Sequence, residues 1–263
     1  MYDNGSDSYQ WLKHIHGTTA VLYYRVWRAP SISQSSIVAV ACIISRQRVP
    51  SFLVDLVRSA ETSNSEPPVE LFPLLCSLVD LYVQTDQSRN QRRSHIISKA
   101  IEIDRSLQSW ATCLPSTWRD PLAPGKSPQA ADGCWIARVW VYYRLCRILA
   151  HRIIQSSLAS QQESINSAWD DISWAQCDRL SAAVSQMSSE IYDCIPAMLG
   201  STYLRDKPSP SVSSNVFFLI TILQALIKLM DKTSVVENWS SRMCRLYGED
   251  FGVMKGLVMM RLC

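Results

Sequence analysis

Two histidines one residue apart, His14 and His16 in the run H-I-H-G-T-T-A-V-L-Y-Y-R from His14 to Arg25, carry the side chains of a metal corner. A helical zinc site needs its ligands about one turn apart, so that both imidazoles reach one ion. Positions 14 and 16 stand about 200° apart on a helix. No carboxylate or third histidine follows at a useful interval. Trp11, Ile15, Thr18, Leu22 and Val26 share one helical side, so the run reads as a helix rather than a chelate. His16 borders that side with Tyr23 and Trp27 and is expected to be a packed, hydrogen-bonded histidine. His14 falls with Arg25 on the wetter face.

The second group with chemical reach is R-V-W-V-Y-Y-R-L-C-R-I-L-A-H-R, Arg138 to Arg152. On a helix, Trp135, Val139, Tyr142, Tyr143, Cys146, Ala150 and Ile153 fill one apolar arc, and Arg144, Arg147 and His151 form a stripe beside it. Guanidinium and aromatic groups together suit phosphates and bases. Three cations are far from a basic footprint, however, and the stronger expectation is pairing with Asp or Glu of a neighbouring helix. A surface or effector contact, if the chain makes one here, would centre on these three residues. No glycine-rich phosphate loop, nucleophile elbow or H-E-x-x-H motif is present, and neither a catalytic site nor a cofactor is expected. The adjacent acids Asp170 and Asp171 read as helix N-terminal charge.

The nine cysteines lie at least twelve residues apart, with no C-x-x-C pair for zinc or disulfide exchange. Most stand in apolar helical stretches, as small hydrophobes of a reducing compartment. The net charge of +3 does not mark a nucleic-acid binder. The cations are skewed all the same, 19 Arg against 7 Lys, and Arg is the residue of fixed, bidentate or stacked contacts.

Proline and glycine divide the chain into helical segments, and no run of period-two alternation suggests a strand. Leu180, Val184, Met187, Ile191, Cys194 and Met198 make the clearest stripe, with Pro196 expected to kink its last turn and Gly200 to stop it. Leu71, Leu74, Leu75, Leu78 and Tyr82 make another. Ile97, Ala100, Ile103, Leu107, Trp110 and Leu114 make a third, and the polar S-R-N-Q-R-R-S of 88–94 is a break or exposed turn between these two. The expectation is an all-α, irregular bundle of about ten to twelve helices over 11–263. It would follow a disordered 1–10 and carry long loops near 115–134 and 200–215. The apolar runs near 136–154 and 216–230 are too short, or too interrupted by Arg, to span a bilayer.

Six segments, in order, resemble the regulatory region of fungal zinc-cluster transcription factors. The His14–Arg25 run is similar to that family's H-x-x-G-A-x-x-L-x-x-x-R-G, through His14, Gly17 and Arg25. Arg48-Val49-Pro50 with Leu53 resembles R-x-P-x-x-L. W-A-T-C-L-P-S-T-W, with Trp110, Pro115 and Trp118, resembles W-x-x-x-L-P-x-x-W. The helix with Trp140, Tyr143, Arg144, Arg147 and His151 resembles W-N-x-Y-R-x-x-R-I-x-x-H. Ile191 to Gly200, with Pro196, is similar to I-x-x-S-V-P-x-x-L-G, and Asn238 to Leu262 echoes the closing segment. The likeness runs from Trp11 to the end.

The resemblance implies an all-helical regulatory or interaction domain that works in the nucleus, in transcription, and controls a metabolic gene cluster. Its motif residues are mostly packing residues. Val26 stands where the family has Gly, and the six-cysteine zinc cluster is missing, so no sequence-specific DNA binding is expected of this chain alone. Protein partners or self-association through uncovered apolar faces, and a hydrophobic small-molecule effector, are the expected contacts. The rival readings are an enzyme or small-molecule-binding protein of a biosynthetic cluster on the same scaffold, and a truncated remnant.

Overall fold

The computed structural model describes residues 32–55, 67–87, 90–120, 122, 133–162, 171–199 and 210–230. His14, His16, Gly17, Arg25, Gly200, the first ten residues, the closing segment and most of the two expected loops lie outside them. Seven α-helices fall within them. These are α1 (Ile32–Ser45), α2 (Pro67–Gln87), α3 (Asn90–Cys113), α4 (Gly133–Gln162), α5 (Asp171–Asp193), α6 (Ile195–Leu199) and α7 (Pro210–Leu229), with a 3-10 turn at Ser116–Trp118. No strand occurs among the described residues. The all-α class stands; the ten to twelve helices were expected of the whole chain.

The spine is α4, about 45 Å long. It packs against α2, α3, α5, α6 and α7, while α1 packs between α7 and α2. This follows from side-chain distribution. From Val139 to Ile154 nearly every α4 residue is buried on all sides, as a helix apolar all round must be. Helix α3 is amphipathic. Ile96, Ala100, Ile103, Leu107 and Trp110 face inward and Lys99 bonds Glu102 at 2.7 Å on the outside. On α5 and α6 the stripe of Val184, Met187, Ile191, Cys194 and Met198 is buried as its spacing predicts, with Leu180 partly so. All seven helices feed one contiguous core.

Helix ends follow local chemistry. The Pro67-Pro68 pair opens α2, where a missing N–H costs no helical bond. Pro73 stands further in and is exposed. Arg46 terminates α1 in the left-handed region (φ 51°). Its amide donates to Ile43 O at 3.2 Å and that of Gln47 to Cys42 O at 3.0 Å, the paired bonds of a Schellman ending. Between α5 and α6 the helix breaks at Cys194, two residues before Pro196, which has no N–H to continue it. Helix α7 begins at Pro210 and α4 at Gly133. Proline fits a first helical position, where its missing N–H costs no bond.

Phe52 and Leu122 are exposed large hydrophobics. No helix among those residues is long and apolar enough to cross a membrane.

Candidate functional site

The polar stripe of α4 leads into its neighbours. Arg144 is 2% exposed. Its Nε donates to Glu190 Oε2 on α5 at 2.7 Å, its Nη2 to Asp120 Oδ2 beyond the 3-10 turn, and its Nη1 to Cys194 Sγ at 3.8 Å. Arg147 reaches α3 with two bonds, Nε to Asp104 Oδ1 at 2.8 Å and Nη2 to Oδ2 at 3.4 Å. One turn on, buried His151 brings Nε2 to 3.5 Å from the same Asp104 Oδ1. A carboxylate with both oxygens engaged by a guanidinium is a strong, directional pair.

Burial alone would push the Asp104 carboxyl up. The hydrogen bonds and charges of His151 and Arg147 outweigh it and hold the group at about 2. Burial likewise works against the charge of Arg144, yet Asp120 and Glu190 raise its affinity for the proton overall. The thiol of Cys194 gains no reactivity from its arginine neighbour, because burial pushes it up to about 11. Cys42 and Cys76 are pushed up to about 12 by burial and by Asp80. These thiols stay protonated, and a protonated thiol is neither nucleophile nor strong metal ligand.

Aromatic side chains frame the ion pairs. Trp110 of α3 stacks on Tyr143 at 5.6 Å, and Trp140 meets Tyr143 edge-on at 5.1 Å and Trp110 at 6.1 Å. Trp140 Nε1 donates to Trp118 O at 2.9 Å, which seats the 3-10 turn on α4. Pro115 opens that turn, its carbonyl accepting from the Trp118 amide at 2.9 Å. Arg144 lies over the Trp140 ring and Arg147 over Tyr143. Pro196 is exposed on α6, one turn past Tyr192.

Two further arginines of α4 behave alike. Arg138 lies over Phe218 of α7 at 4.6 Å, and Arg152 Nε donates to Leu229 O, a carbonyl at the end of α7 left open by the helix. Four arginines of one helix thus end on α3, α5, α7 and Asp120 beyond the 3-10 turn. The acids that receive two of them, Asp104, Asp120 and Glu190, were not singled out in the sequence. Their only signal was an acidic residue directly beside a buried position, as Asp104 is beside Ile103 and Glu190 beside Ile191.

No group of three His, Cys, Asp or Glu side chains among the described residues is placed to hold a metal ion. No protein-family model, curated protein or solved structure matches the chain.

Proposed function

We propose that this chain is a regulatory, protein-interaction domain of the kind fungal zinc-cluster transcription factors carry, working in the nucleus on a metabolic gene cluster. The supporting observation is spatial. Three segments that carry the resemblance, Trp110–Trp118, Trp140–His151 and the Ile191 stretch, meet at one junction on α4. Residues that recur for packing reasons are expected to converge in this way. A protein partner or a hydrophobic effector would act by favouring one packing of that junction over another, with binding rather than turnover as the output.

The test is tethering. The full chain, fused to a heterologous DNA-binding domain, is expected to raise or lower a reporter carrying that domain's site. Asp104→Ala, which unfastens α3 from α4, is expected to reduce the effect at equal protein level. A reporter indifferent to a fusion that accumulates in the nucleus would overturn the reading.

A further inference from the structure

The guanidinium of Arg144 touches two elements of the chain. One is the strap 115–120, the other the end of α5 where the chain breaks into α6. Each acid that meets it is shaped by its own element. Asp120 accepts the Leu122 amide on Oδ1 at 3.0 Å, and so offers Oδ2 to Arg144 only while that turn is intact. Glu190 accepts from Gln186 Nε2 on Oε1 at 3.0 Å, and its own carbonyl receives the Cys194 amide at 3.2 Å at the break. The third arm of the fork ends on the Cys194 thiol itself. Arg144 therefore contacts both elements in one rigid plane from a buried position, its side chain 3% exposed against 25% for Asp120 and 32% for Glu190.

We infer that Arg144 is a coupling post: the strap and the α5–α6 break loosen together, and an event at one is felt at the other. The reason is that an acid leaving one side strands half of a buried charge, which weakens the seat of the other. Coupling of this kind is reciprocal by thermodynamic necessity. It stands apart from the functional reading above and would hold for any protein built on this junction.

Amide hydrogen exchange on the full chain tests it, with Asp120→Asn, Glu190→Gln, the double variant and Arg144→Lys. Each amide substitution keeps the oxygen its own element needs and turns a donor toward the guanidinium. Asp120→Asn is expected to speed exchange about fivefold or more at Cys194 and Met198, and Glu190→Gln to do the same at Trp118 and Arg119. In the double variant the two effects are expected to combine to less than their product. In Arg144→Lys, which keeps the charge and loses the fork, adding Asp120→Asn is expected to leave Cys194 and Met198 unchanged. Effects confined to the substituted element, multiplying in the double variant, would overturn the proposal.

Discussion

Asp104 receives Arg147 on both oxygens and stands 3.5 Å from His151, so its ionised form is favoured in the folded chain. Its carboxyl is held at about 2, below the ordinary value near 4 of an unfolded chain. A depressed folded value gives stability that is present above about pH 4 and is lost as the pH falls toward about 2. The full shift is worth roughly 2 kcal/mol, and solvent reaching the pair lowers this to about 1–2 kcal/mol. Urea unfolding at pH 5.5 and 2.5 is expected to show a smaller acid-induced loss in Asp104→Asn than in the parent, by that amount. An unchanged loss would remove Asp104 from the account. At this scale the sequence was half legible. The cationic stripe stood out because Arg144, Arg147 and His151 share one helix. Their acidic partners lie 24 to 47 residues away in the chain, and no local period reports such a distance.

The end of α1 places two costs against each other. Arg46 adopts φ 51°, where a Cβ is disfavoured by about 1 kcal/mol relative to glycine. The same residue donates from Nε to Tyr82 Oη at 3.2 Å and lies 4.8 Å over that ring, tying α1 to α2. Glycine would relieve the backbone and lose the tie. Arg46→Gly in a Tyr82→Phe background, where much of the tie is already gone, is expected to raise stability by up to about 1 kcal/mol. A clear loss there would show that the ring contact dominates. Helix identity was legible in most segments, because apolar residues recur at three and four, whereas Asn90 to Ser94, read as a break or turn, begin α3, where the polar run carries no stripe. Ends were less so: nothing in the run I-I-S-R-Q marks the stop that a glycine would have announced. Pro210 opens α7, although a proline fits a loop as well as a first helical position.

The single core implies a single unfolding event. Leu149 is fully buried in α4, and Trp110 and Trp140 report on the junction beside it. Leu149→Ala is expected to cost about 2–5 kcal/mol and to shift helical signal and tryptophan fluorescence together. Separate transitions would mean that the helices form two independent units. The excess of arginine over lysine also makes sense at this scale. From α4 alone, guanidinium groups reach three helices and a turn, through bidentate, stacked and carbonyl contacts that an ammonium makes less well. This polar stripe fastens helices together across the molecule. A double-mutant cycle over Arg147→Met and Asp104→Leu, followed by urea unfolding, measures that fastening directly. A coupling of about 1–3 kcal/mol is the expected result, and a coupling of zero would contradict it.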